Sequence, residues 1–313
     1  MNLHRSFIDF DGRIKLSTSK SNQLKTGRDA LRTDIRDWFS EKDKKQPKFC
    51  WQGSFAMKTT VNPIFDDYDL DDGVYLQGYS NNENEWPSAI SVHNWVKTAT
   101  DERTSLESTD KNTCVRINYA DGYHIDLPIY IMKDDEPYLA HKSNGWVLSD
   151  PKAFTDWFID KVNDNDEQLR RLVRYLKAWK EYNNVPLKGI EITILVAENF
   201  DGYDNRDDKA LFSTIERILN TLDKNFSCVK PVAPGEDLFE NISDTKKDKI
   251  LSSLTNLKND LSAAISEDSD ETVTEILQGL FGTRFPKVVK INKSYTVTSS
   301  PGVLKHDARS GRY

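Results

Sequence analysis

WQGSFAMKTTVNPIFDDYDLDDGVYL, residues 51–76, is the stretch on which the reading of this chain turns. The pair Gly53-Ser54 is followed, sixteen residues after the glycine, by Asp69-Leu70-Asp71. On a strand, residues i and i+2 share a face, so Asp69 and Asp71 can present two carboxylates to one point. Hard oxygen ligands suit Mg²⁺ while it also holds substrate phosphates. A glycine lets backbone come close to a phosphate, and a serine hydroxyl and nearby amides can bond its oxygens. Asp72 falls on the opposite face of the strand and stays out of the set.

A third carboxylate follows from the same alternation. In TCVRINYADGYHIDLPIYIM, residues 113–132, Val115, Ile117 and Tyr119 alternate with polar residues. Asp121-Gly122 is a hairpin turn signal, and Ile125, Leu127, Ile129 and Ile131 alternate again. Asp126 therefore belongs on the second strand of a hairpin. An acid there is ordinarily a solvated outward residue; beside Gly-Ser and Asp-x-Asp it becomes a candidate ligand facing a cleft.

The 313 residues allow one or two domains. No apolar run approaches membrane-spanning length and MNLHRSFIDFDGR lacks a signal-peptide pattern, so a cytoplasmic protein without a membrane partner is expected. Cys50, Cys114 and Cys228 are odd in number and widely spaced, which argues against disulfides and structural zinc. The net charge of −7 weighs against a grip on long nucleic acid.

Helical spacing of Leu24, Leu31, Ile35, Trp38 and Phe39 predicts a long helix over 20–41, leading into the Gly-Ser strand. Strand alternation dominates 50–132, with a helix over 87–98. Asp150-Pro151 opens a helical region, because proline suits a first helical turn. There 166–182 carries Leu169, Leu172, Val173, Leu176 and Trp179 on one stripe, and further helices fit 189–199, 208–223, 246–265 and 270–281. Lys177 and Lys180 fall off the stripe, and periodicity alone leaves both solvated. Residues 294–313 are polar and without period, which predicts a mobile tail.

Gly53-Ser54, Asp69-x-Asp71 and a lone Asp126 on a later strand follow the motif order of polymerase-β-like nucleotidyltransferases. QGSF at 52–55 and DLDDGVYL at 69–76 more closely resemble the bacterial cGAS/DncV-like nucleotidyltransferases (CD-NTases), the cyclic-oligonucleotide synthases of anti-phage CBASS systems. HIDLPIY at 124–130, SDPKAFTDWF at 149–158, LVRYLKAW at 172–179 and LFGTRFP at 280–286 carry the resemblance across residues 25–290.

The resemblance implies an α+β fold. A nucleotidyltransferase core with a mixed sheet and an N-terminal spine helix would occupy 1–149, and a C-terminal helical domain 150–293. It implies nucleoside triphosphate substrates, ATP first among them, joined into a cyclic di- or trinucleotide with release of pyrophosphate. Two Mg²⁺ ions, for which Mn²⁺ can substitute, would be held by Asp69, Asp71 and Asp126, with Asp126 serving the attacking hydroxyl. Gln52, Gly53, Ser54 and Lys177 would bind the triphosphate. CBASS effector and regulatory proteins are the implied partners, with the tail as an available contact. Two departures, Met57 in place of an aromatic and Pro186–Glu191 in place of a serine-bearing loop, leave nucleobase choice open. An RNA- or protein-directed transferase on the same scaffold and an inactive nucleotide-binding subunit are the alternatives.

Overall fold

A computed structural model describes residues 1–64 and 68–289. The tail expected at 294–313 lies outside the described residues. In chain order the elements are α1 (His4–Ile14), α2 (Thr18–Glu41), β1 (Lys48–Gln52), α3 (Gly53–Ala56), β2 (Tyr68–Leu76), α4 (Ala89–Thr100), β3 (Thr109–Asp110), β4 (Val115–Tyr119), β5 (Tyr123–Leu127), β6 (Ile129–Lys133), β7 (Glu136–His141) and β8 (Gly145–Leu148). Then come α5 (Pro151–Tyr182), α6 (Gly189–Asn199), α7 (Asp207–Lys224), α8 (Asp244–Ser266) and α9 (Asp270–Phe281). The fold is α+β, as expected. None of the described helices is long and apolar enough to cross a membrane.

The strands form one mixed sheet in the order β3-β4-β5-β2-β6-β7-β8, with β1 paired antiparallel to β2. Strand β2 runs parallel to β5 through 68–71 and to β6 through 74–76. The alternation read as one strand over 125–131 is thus two, parted at Pro128, which has no amide hydrogen for a ladder. Its carbonyl still accepts from Val74 N at 2.8 Å.

Two apolar clusters form the interior. One lies between the sheet and α2, built from Leu24, Leu31 and Ile35 against Leu70, Val74 and Ile125. The other joins the C-terminal helices through Tyr175, Trp179, Ile215, Leu257 and Phe281. Helix α1, not assigned from periodicity, contributes Phe7, Phe10 and Ile14 to this second cluster, joined by Leu3 just ahead of it. Their 3–4 spacing was the available signal; the intervening charges masked it. Arg174 also clasps Asp11 of α1 through Nε–Oδ1 at 2.7 Å and Nη2–Oδ2 at 2.9 Å.

Helix α5 starts earlier than the stripe over 166–182 suggests. Asp150 caps it, accepting from Ala153 N at 2.8 Å, with Pro151 in the first turn. The break falls at Asp166, where φ is 69°. The polar run Asn163-Asp164-Asn165-Asp166 is a poor helix former whose side chains compete for backbone partners. Asp166 accepts from Glu167 N in this way.

Candidate active site

Burial alternates along the first half of β2. Tyr68, Leu70 and Asp72 are buried, whereas Asp69 and Asp71 are only half-buried on the other face. Asp72 faces α2, where Arg32 grips both its oxygens, Nε–Oδ2 at 2.7 Å and Nη2–Oδ1 at 2.5 Å. Its exclusion from the candidate set agrees with this structural pairing.

Register brings the third acid alongside. Asp71 is paired with Asp126 on β5, and Asp126 with Arg116 on β4. Directly paired residues share a face, so the row Asp71, Asp126, Arg116 runs across three strands. The Arg116 guanidinium forks onto Asp126, Nε–Oδ1 at 2.7 Å and Nη2–Oδ2 at 2.8 Å. His124 stands beside Asp69 in the register, its Nε2 4.0 Å from Oδ2. Burial, followed by the charges of Asp69 and Asp126, pushes the Asp71 carboxyl well above the usual carboxylate range. Three carboxylates that repel one another in this way favour a divalent cation. Among the described residues no three acidic, histidine or cysteine side chains are gathered tightly enough to hold an ion as they stand. The donor set is nonetheless the hard-oxygen kind that Mg²⁺ or Mn²⁺ accepts.

Gly53 begins α3 with φ at +66°, a conformation that disfavours other residues. A Cβ there would lie 2.2 Å from Asp71 Oδ2, so only glycine lets this backbone sit against the acid. Gly53→Ala is therefore expected to displace Asp71 and reduce activity by at least roughly tenfold, an effect of about 1.4 kcal/mol on the barrier. A Gly53→Ala protein of normal activity would show that the close approach is not needed.

Ser54 Oγ lies 2.9 Å from Thr60 Oγ1. Gln52 is 5 % exposed. Its amide donates to Tyr130 Oη at 3.0 Å, while Oε1 is buried with no hydrogen-bond partner recorded among the described residues. Gln52 lines the cleft with its amide held by Tyr130.

Lys177 departs most from its periodicity. It is 7 % exposed, and Nζ donates to Thr59 Oγ1 at 2.9 Å and Thr59 O at 3.3 Å. Burial lowers its pKa to about 8, against the opposing pull of Asp69. Lys180, for which the sequence supported only a solvated role, is half-buried and lines the same cleft. The cleft has a volume of about 570 Å³. It collects Gln52, Gly53, Ser54, Asp69, Asp71 and Lys177 from both halves of the chain. Lys230, which no motif pointed to, reaches it from the C-terminal half. Met57, Gly189 and Ile190, at or within the two departures, are also on its wall.

Comparison with known proteins matches this architecture in two parts. Residues 47–130 fit the model of the cyclic GMP-AMP synthase DncV-like nucleotidyltransferase domain, and 166–294 fit the cyclic GMP-AMP synthase C-terminal domain. A cyclic GMP-AMP synthase of Escherichia albertii is 31 % identical over 54 % of this chain, a match that spans 40 % of that relative's length. One from Escherichia coli is 25 % identical over 80 % of this chain and 71 % of its own length. The Vibrio cholerae DncV cyclic AMP-GMP synthase, solved with the linear intermediate 5′-pppA(3′,5′)pG, superposes with a TM-score of 0.78 at 22 % identity. That superposition covers 91 % of this chain and 97 % of the solved one. With the nucleotidyltransferase model over 47–130 and its companion model over 166–294, together more than half of its length, the chain belongs to the DncV-like nucleotidyltransferase family.

Proposed function

We propose that this protein condenses nucleoside triphosphates into a cyclic di- or trinucleotide, releasing pyrophosphate, as a second messenger in anti-phage signalling. The observation that carries the reading is the pairing of Asp71 with Asp126 on adjacent strands, with Asp69 and Asp71 lining a cleft that also holds Gly53, Ser54 and Lys177. Family membership supports the reaction class, and relatives named as cyclic GMP-AMP synthases support a cyclic product.

In this reading Asp69 and Asp71 hold the cation side of the triphosphate, and Asp126, steadied by Arg116, faces the attacking ribose hydroxyl and receives its proton. Two divalent cations, Mg²⁺ or Mn²⁺, would supply charge neutralisation at the attacking and leaving oxygens of the in-line displacement. Ser54 Oγ and the Gly53 amide hold the terminal phosphates, and Lys177 meets them as a point charge from the opposite wall. Gln52 braces the strand from which the Gly-Ser turn departs. ATP is the first substrate to test.

Purified protein incubated with Mg²⁺ and labelled nucleotides, then treated with phosphatase, tests the proposal. A phosphatase-resistant small product is expected. Label on an RNA or protein would instead support macromolecular transfer, and no product would support an inactive binding subunit.

Lys177→Ala and Ser54→Ala are each expected to raise the KM for nucleotide by roughly ten- to a hundredfold, since a charged hydrogen bond to phosphate is worth about 1.5–3 kcal/mol. Lys177 adds a pH signature. Its ammonium is present below about 8 and is lost above that value in the free protein. Nucleotide affinity should therefore weaken as pH rises through about 8, and that slope should vanish in Lys177→Ala. A slope that persists in the variant would assign it to another group.

A further inference from the structure

The segment LFGTRFP, residues 280–286, lies outside the acidic cluster, yet its arginine reaches the cleft wall from behind. Leu280, Phe281 and Phe285 are buried in the helical core. Gly282 ends α9 at φ +74°, and a Cβ there would lie 2.8 Å from the Tyr182 ring, so this glycine lets the chain turn tightly against the end of α5. The turn delivers Arg284. Its Nη1 donates to Asn62 O at 2.9 Å. Its Nη2 donates to Ala178 O at 3.3 Å and Glu181 Oε2 at 3.1 Å. Glu181 Oε1 in turn accepts from Ile64 N at 2.7 Å.

These bonds join the two walls of the cleft. Thr60, Val61 and Pro63 form one wall, on the segment running from Ser54 toward Asp69. Lys177, Lys180 and Glu181 form the other, on the last turns of α5. Ala178, whose carbonyl Arg284 holds, directly follows Lys177. The segment is tied from its far side as well, where Asn62 N donates to Ile14 O at 2.5 Å and Lys20 Nζ to Asn62 Oδ1 at 2.8 Å. Arg284 and Glu181 thus tie this segment to the end of α5 beside the Lys177 turn. A planar guanidinium spreads its donors over separate nitrogens and so reaches acceptors on both walls at once; an ammonium, with its three donors on one nitrogen, spans a shorter distance.

We propose that Arg284 and Glu181 are positioning residues for nucleotide binding, a latch that holds the wall segment 60–64 at a set distance from Lys177. The proposal rests on the nucleotidyltransferase reading of the same cleft.

The test is calorimetric titration of the full-length protein with a non-hydrolysable ATP analogue and Mg²⁺, alongside steady-state synthesis and thermal melting. Arg284→Gln and Glu181→Gln should each weaken analogue binding by roughly tenfold, raising KM with kcat nearly unchanged. The double variant should bind no more weakly than the poorer single, because the two residues act as one unit. Arg284→Lys should not rescue binding, and it also covers the case in which Arg284→Gln fails to fold. Additive losses, or variants that melt earlier yet bind as wild type does, would overturn the latch while leaving the nucleotidyltransferase reading intact. Wild-type protein that binds no nucleotide would overturn both.

Discussion

Asp69→Asn and Asp71→Asn should each lower synthesis by at least roughly a hundredfold, about 2.7 kcal/mol of barrier, in a protein that remains folded. Each change keeps the shape and removes a ligand charge, so divalent-cation affinity falls. Stability should move the other way or not at all. The Asp71 carboxyl is pushed well above its ordinary range by burial and by Asp69 and Asp126, so its charged form is a net cost to the folded protein at neutral pH. An acid whose folded pKa is raised binds protons more tightly in the native state, so stability improves as pH falls through that raised value toward the ordinary carboxylate range. In Asp71→Asn that dependence should shrink, with melting in chelator at neutral pH unchanged or higher. Either variant retaining more than a tenth of wild-type synthesis would contradict the metal role. Asp126→Asn should behave likewise, with residual activity in Mn²⁺ more readily seen there.

The neighbouring Asp72→Asn should do the opposite, losing stability rather than chemistry. Asp72 is fully buried, and Arg32, which is partly exposed, forks onto both its oxygens. Burial pushes the Asp72 carboxyl up by more than Arg32 draws it down, so on balance it is raised, and the loss expected in Asp72→Asn comes from the Arg32 charge left without its partner. Breaking a buried pair leaves a charge uncompensated and costs about 3–5 kcal/mol; because Arg32 retains some contact with water, about 3 kcal/mol is expected. Urea denaturation gives the loss directly, and synthesis measured at low temperature, where the variant is folded, should stay near wild type. Adding Arg32→Gln should recover part of the stability, since the stranded cation is then gone. A variant as stable as wild type would mean that the pair contributes little, and a folded but inactive one would place Asp72 in the site. Asp71 and Asp72 are adjacent in the chain, yet one is expected to govern chemistry and the other stability, because a strand turns successive side chains to opposite faces.

That alternation marks what was legible beforehand. The Asp69/Asp71 face, the exclusion of Asp72, the Asp121-Gly122 turn and the helices α2, α4 and α6 to α9 all follow from local periodicity and turn chemistry, which depend on residues a few positions apart. The motif order adds the family and the candidate triad. What local pattern leaves open is who stands beside whom. Asp126 could have been a solvated strand residue, and only the parallel register of β5 against β2 puts it next to Asp71. Lys177 lies off its apolar stripe, and only the packing of α5 against the Thr59 segment buries it and lowers its pKa. Helix α1 reads as a charged N-terminus until the helical core accepts Phe7 and Phe10. Arg284 makes contact more than two hundred positions away at Asn62. The amino-acid sequence by itself thus determined the acids and their spacing, because those are set by backbone geometry over a few residues, while the fold class came with the family resemblance of its motifs. The tertiary structure alone decided which of them meet in one cleft, which cation is buried and which arginine ties the walls together, because pairing, burial and charge all depend on contacts that sequence distance does not encode.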